Sequence, residues 1–167
     1  MKKMKLTSII IFTVIFFQNL KSQNFEKLST DNFSLRYDEK ILKEEEGISN
    51  SIFLFFKKTS NKFSEHIKII TEDVSKYKKM DLEYYAQLRE YVLKNKYFNI
   101  KKEIEYNPYH CIIFNYEKQG DEHLMTYEKI YFINNKIIRI SYHSISENYL
   151  QNLPIAISVF KTLKLKK

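Results

Sequence analysis

Residues Thr126–His143 read TYEKIYFINNKIIRISYH, and this stretch decides the fold class. Two runs rich in β-branched and aromatic residues flank Asn134-Asn135, a pair that tolerates left-handed backbone and suits a tight hairpin turn. With those asparagines at the centre of the turn, Tyr127 opposes Tyr142, Tyr131 opposes Ile138 and Phe132 opposes Ile137, all favourable cross-strand pairs. The same register sets His143 opposite Thr126. Long antiparallel strands are therefore the frame on which the rest is built.

Working upstream, His110–Glu117 is a further strand, separated from the hairpin by a polar turn at Gln119–Glu122 that contains Gly120. Before it, Ile100, Ile104 and Tyr106 alternate with Lys101, Glu103 and Glu105 until Asn107-Pro108 turns the chain. The period then changes to helical. Asp81 is an N-cap for a helix over Leu82–Lys94, with Leu82, Tyr85, Leu88 and Val92 read as its inward face and Tyr84 and Tyr91 as further candidates for it. Glu65–Thr71 and Phe33–Tyr37 are strands, and Ile52–Phe56, apolar on both faces, is expected to be a central strand covered on each side. The charge run Glu44–Glu46, ending at Gly47, reads as a solvated turn. Downstream, Ser146 is expected to cap a last helix through Leu150, Leu153, Ile157 and Phe160, kinked at Pro154 or starting near it. Strands and helices segregated in this way predict an α+β fold, an antiparallel sheet sandwiched between helices in an α/β/α arrangement.

The N-terminus reads as an address. Lys2, Lys3 and Lys5 precede the apolar run Leu6–Phe17, and Ser22 offers a small residue for cleavage before Gln23, the three-part pattern of a secretory signal peptide. A bilayer span needs about 20 apolar residues, more than this run supplies. The expected organisation is a signal peptide over 1–22 and a single domain over 23–167, extracytoplasmic (periplasmic or secreted) and with no transmembrane anchor after cleavage. Cleavage removes four lysines and no acid, which lowers the net charge from +8 over 167 residues to +4 over 145. That balance argues against nucleic-acid binding. A domain of this size buries about 68–70% of its unfolded surface, enough to be stable without disulfides.

Several chemistries are excluded by composition. Two glycines leave no Gly-rich phosphate cradle, and one cysteine permits neither a disulfide nor a multi-cysteine zinc site. HExxH and GxSxG are absent. Cys111 adjoins His110, but neighbours on a strand point to opposite faces, so Cys111 reads as a buried structural residue. Asp121, Glu122, His123 and His143 could be drawn as a metal site, yet none has ligand-like spacing, so no metal and no cofactor is expected. Lys76-Tyr77-Lys78-Lys79 mixes base and aromatic just before the helix. Tyr84, Tyr85 and Tyr91 follow within it, more tyrosine than one inward stripe can bury. Tyr85 fits that stripe, leaving Tyr77, Lys78, Lys79, Tyr84 and Tyr91 as candidate binding residues: aromatic anchors with a basic rim.

Element order and residues together resemble the PsbP-like family, whose fold is shared with the Ran-binding protein Mog. The likeness rests on Phe33-Ser-Leu-Arg-Tyr37, Ile67–Thr71 leading to Asp81-Leu-Glu-Tyr-Tyr85, the hairpin around Asn134-Asn-Lys-Ile137, and the closing Tyr149…Phe160-Lys161-Thr-Leu163. It covers about residues 24–165. Departures are Asp38-Glu39-Lys40 after the opening strand, where a Pro-x-x-Trp is common, and Asn107-Pro108-Tyr109 in place of a glycine. The resemblance implies a sheet between helices and a non-enzymatic binding, assembly or chaperone role, with a protein or envelope component as partner. The alternatives are a carrier of a small apolar ligand held between sheet and helix, and a hydrolase or metalloprotein using Cys111 or the histidines.

Overall fold

The structure is a computed structural model that describes residues 25–47, 50–57, 64–120 and 123–166. The signal-peptide segment 1–22 lies outside the described residues, as do Asp121 and Glu122. No described helix is long and apolar enough to cross a membrane.

Among these residues, ten strands and two helices follow in the order β1 (Phe25–Ser29), β2 (Phe33–Asp38), β3 (Leu42–Glu46), β4 (Ser51–Phe56), β5 (His66–Asp73), α1 (Leu82–Lys94), β6 (Phe98–Glu105), β7 (Cys111–Lys118), β8 (Leu124–Ile133), β9 (Lys136–Ile145), α2 (Ser146–Lys161) and β10 (Lys164–Leu165). Seven strands form one sheet in the order β3-β4-β5-β9-β8-β7-β6, every neighbour antiparallel. β1, β2 and β10 form a second, three-stranded sheet. The fold is α+β.

The β8–β9 hairpin has the expected register, with Tyr127 opposite Tyr142, Tyr131 opposite Ile138 and Phe132 opposite Ile137. Asn134 and Asn135 both adopt positive φ, 49° and 58°, as a two-residue primed turn requires. β9 sits at the middle of the large sheet and supplies Ile137, Ile138, Ile140 and Tyr142, all fully buried.

Two apolar clusters take alternate residues of β7. Ile112, Phe114 and Tyr116 join Leu82, Ala86 and Leu93 of α1, together with Ile130 and Ile137. Cys111 and Ile113 join Tyr149, Ala156, Val159 and Phe160 of α2, together with Phe33 and Leu35 of the small sheet.

Four expectations are corrected. Glu44–Glu46 is part of edge strand β3, paired with Ile52–Leu54, and not a turn; its charges suit an edge because they discourage further pairing. β4 is second from that edge, and Phe53 and Phe55 on one of its faces are only half-buried, so it is not a central strand covered on both sides. Its other face, with Leu54 and Phe56, is buried. Ser146 is the first helical residue of α2 and not its cap: Ile145 holds the cap position with no side-chain bond. Finally, of the two alternatives at Pro154 the helix start is overturned, since α2 runs through that residue, burying Tyr149, Ala156, Val159 and Phe160 and leaving Leu150, expected on the apolar face, exposed.

Candidate functional site: the outward face of α1 and the polar network beneath it

The limits of α1 agree with the sequence reading. The Asp81 carboxylate accepts the backbone N–H of Tyr84 at 2.7 Å and closes the first turn. The rotation of the helix about its axis does not agree. Leu82, Ala86 and Leu93 are buried, whereas Leu88 and Val92, expected inward, are 45% and 41% exposed. A charged group accounts for the difference. Arg89 lies between Ala86 and Leu93 on the buried stripe and reaches Glu128 on β8 through two bonds, Nε to Oε1 at 2.8 Å and Nη2 to Oε2 at 2.9 Å. Turning Leu88 and Val92 inward would lift Arg89 away from this partner.

The pair belongs to a larger network on the same sheet face. Arg89 Nη2 also donates to the Tyr116 hydroxyl at 3.1 Å, and Arg139 Nη1 lies 3.6 Å from Glu128 Oε2. Arg139 in turn donates to Glu72 from Nη2 at 2.8 Å and Nε at 3.1 Å, while the Tyr85 hydroxyl donates to both oxygens of Glu72 at 3.0 and 2.9 Å. Two arginines thus face two carboxylates, and every charge is bonded. Burial opposes the charge on Arg89, yet the bonds to Glu128 outweigh it and hold its pKa above the ordinary value. Burial raises Tyr85 and Tyr116, and the neighbouring carboxylates add to the effect. A satisfied network of this kind locks α1 in place. The sequence alone assigns it no role, because its partners lie far apart in the chain.

Beside this network, His143 is bonded at both ring nitrogens, Nδ1 to Thr126 Oγ1 at 3.0 Å and Nε2 to Ser141 Oγ at 2.8 Å. Ser141 Oγ also lies 3.4 Å from the Lys68 carbonyl, to which its single proton can go. Nε2–H then donates to Ser141, and Thr126 donates to Nδ1. Burial pushes the His143 pKa down to about 3, aided by the positive groups around it, and His66, 5.0 Å away ring to ring, is lowered as well. His123 instead meets Glu117 at 2.8 Å. Among the described residues no three His, Cys, Asp or Glu side chains gather as metal ligands.

Cys111 is 1% exposed, with Sγ 3.9 Å from Glu105 Oε2, and burial raises its thiol to about 11. Lys129 is ion-paired with the same Glu105. A thiol so placed stays protonated and is a poor nucleophile.

The candidate binding residues lie on the surface. Tyr77, Tyr84 and Tyr91 are 51%, 48% and 71% exposed, and Lys78 and Lys79 are exposed beside them. Leu88 and Val92, misassigned from the sequence, belong to the same outward face. The connection between β6 and β7 adjoins it: Tyr106 stacks on His110 at 4.9 Å, and His110 Nε2 lies 3.5 Å from Glu83 of α1. Of nine exposed large apolar side chains among the described residues, seven (Tyr77, Tyr84, Leu88, Tyr91, Val92, Ile104 and Tyr106) surround α1. Exposed apolar patches are candidate contact sites.

Two clefts lie elsewhere. One, of about 600 Å³, opens between the β1–β2 hairpin and β3–β5, with Leu28, Phe33, Ile52 and Ile69 among its lining and Asn32 and Lys136 bonded to each other at its rim. The other, of about 420 Å³, is an apolar groove between β2 and α2 lined by Tyr37, Ile41, Leu42, Pro154, Ile155 and Val159 among others.

No family model and no curated protein sequence matches the chain. Solved structures do. The chain is similar to cyanobacterial PsbP (CyanoP) from Synechocystis sp. PCC 6803, with 11% identity over 86% of this chain and 94% of that one and a TM-score of 0.55. It is similar to LpqN of Mycobacterium tuberculosis, described as involved in cell envelope biogenesis, with 7% identity over 90% and 96% and a TM-score of 0.64. It is also similar to the Saccharomyces cerevisiae Ran-binding protein Mog1p, with 6% identity over 86% and 96% and a TM-score of 0.57. At these identities the likeness is one of fold, and the fold is PsbP-like.

Proposed function

We propose that this chain of PsbP-like fold is an exported, non-enzymatic protein that binds another macromolecule in the cell envelope, through the outward face of α1. The observation that carries the reading is the gathering of exposed aromatic and aliphatic side chains around that one helix, beside Lys78 and Lys79. Tyrosine buries a large area at small entropic cost, and lysine steers an acidic partner. Export rests on the lysine-rich start, the apolar run and Ser22. The described roles of LpqN in the envelope and of Mog1p in binding a protein are compatible with it.

The layered arrangement belongs to the same reading. The two apolar clusters use alternate residues of β7, which point to opposite faces of a strand, and this supports a sheet held between α1 and α2. On that reading α1 is free to present its outer side, because its inner side is already committed to the sheet.

The test is capture from the producing cells. Exported protein is used as bait beside a Tyr84→Ser/Tyr91→Ser variant, with intact mass locating the N-terminus. The expected result is a chain beginning at or near Gln23 whose captured material is lost in the variant while circular dichroism stays unchanged. Retention of Leu6–Phe17 in the released product would overturn cleavage of a signal peptide near Gln23, and capture unaffected by the variant would overturn the site.

A second reading has one specific observation behind it. The apolar groove between β2 and α2 would suit a carrier of a small apolar ligand. Extraction of the native protein with organic solvent, followed by mass spectrometry, separates this reading from the first.

A further inference from the structure

The chemistry of the α1 face also bears on what it meets. Its outermost positions, Tyr84, Gln87, Leu88 and Tyr91, carry no acid. Lysines stand at both ends of the helix, Lys76, Lys78 and Lys79 before it and Lys94 and Lys96 after it. The acids of the same segment are engaged or lie aside: Asp81 caps the helix, Glu90 is held by Lys94 at 2.7 Å and Lys102 at 3.1 Å, and Glu83 lies on the flank toward His110. At the far edge of the sheet, β3 carries Glu44, Glu45 and Glu46. The charge distribution therefore orients the molecule, with α1 toward a negative surface.

Shape narrows the choice further. α1 is a ridge on the sheet, and the two clefts lie away from it. Four large apolar side chains, Tyr84, Leu88, Tyr91 and Val92, are exposed along this ridge. A bilayer surface needs no matching concavity. Tyrosine favours the headgroup level of a membrane, and flanking lysines are attracted by anionic headgroups.

We propose that the outward face of α1 lies on an anionic lipid surface, with Tyr84, Leu88 and Tyr91 at headgroup depth and Lys78, Lys79 and Lys96 against the phosphates. This rests on the reading of α1 as the contact face and puts a lipid surface, in place of a macromolecule, against it. The helix lies on the bilayer and does not cross it.

The probe is a vesicle of phosphatidylcholine containing one quarter phosphatidylglycerol, compared with pure phosphatidylcholine, and the protein is used with the N-terminus its cells leave. The chain has no tryptophan, so Tyr91→Trp supplies a single fluorescent reporter at the centre of the face. The expected results are flotation with the anionic vesicles only, weakened by salt, and a blue shift of the indole emission from that variant. The bound fraction should fall about tenfold or more in Lys78→Glu/Lys79→Glu, with melting unchanged. Tyr84→Ser/Tyr91→Ser should lower it as well. Absence of flotation at low salt, or flotation that neither variant alters, overturns the lipid assignment. A photo-crosslinker at position 91 distinguishes the two levels of the argument. A specific crosslinked protein without vesicle binding overturns the lipid partner and leaves the contact face standing. The absence of both crosslink and vesicle binding overturns the two together.

Discussion

Arg89 on α1 and Glu128 on β8 are joined by two near-parallel hydrogen bonds of 2.8 and 2.9 Å, with the Glu128 side chain only 2% exposed. The pair sits where α1 meets the sheet and sets which side of the helix faces out. That rotation exposes Leu88 and Val92 beside the tyrosines and so shapes the proposed contact face.

Truncating one partner leaves the other charge buried. Arg89→Met is expected to cost about 3 kcal/mol in urea unfolding, the range found when a buried ion pair is broken from one side. Arg89→Met/Glu128→Gln is expected to cost less than the two single changes together, since Arg139 keeps Glu72. Strict additivity would show that the bonds do not couple the helix to the sheet.

The rotation of α1 has its own test. Leu88→Lys and Val92→Lys should stay within about 0.5 kcal/mol of the parent, as surface changes do. Leu93→Ala, at a fully buried position, should cost about 2–5 kcal/mol. The opposite ranking in thermal or urea melts would restore the inward face suggested by the sequence.

Stability should depend on pH through His143. Its folded pKa is depressed from 6.5 to about 3, chiefly by burial and further by His66, Lys68, Arg89 and Arg139. Between those values the unfolded chain takes up a proton that the folded chain refuses. The contribution is therefore complete above pH 6.5 and is lost as pH falls toward 3, at no more than about 1.4 kcal/mol per pH unit. Carboxylates add their own acid loss, so the measurement is the difference from His143→Gln, whose amide can still bond Thr126 and Ser141. The variant should show a shallower decline between pH 6 and 4; identical slopes would remove His143 from the account.

Cys111 should be unreactive in the folded protein. With burial raising its pKa to about 11, thiol reagents at neutral pH are expected to label it only on unfolding. Cys111→Ala should cost on the order of 1 kcal/mol and leave binding intact. Rapid labelling of native protein, together with lost binding at unchanged fold, would assign it a functional role.

The legible parts of this protein were those governed by neighbours in the chain. Asn134-Asn135 sets its own turn, and the turn sets the register of twenty residues of β8 and β9. Asp81 caps its own helix, and the alternation around Cys111 places it inside. The candidate tyrosines were read as outward by counting more aromatics than one stripe can hold, and all three are exposed. Less was visible where strands meet distant partners. β10, two residues long, shows no period of its own and exists through pairing with β2, about 130 residues earlier in the chain.

The side of α1 that turns inward was beyond the sequence for a physical reason. Its residues offer two apolar stripes at helical spacing, one through Leu82, Ala86 and Leu93 and one through Leu82, Tyr85, Leu88 and Val92. Periodicity cannot rank them, because both satisfy it equally. The choice came from Glu128, 39 residues from Arg89 in the chain, whose buried carboxylate takes its two short charged hydrogen bonds from Arg89 when that residue faces the sheet. Sequence alone determined that a helix forms, where it begins and that it carries surplus aromatic surface. Tertiary structure decided that Leu88 and Val92 join the tyrosines on that surface, since the rotation of the helix is the one that brings Arg89 to the buried Glu128.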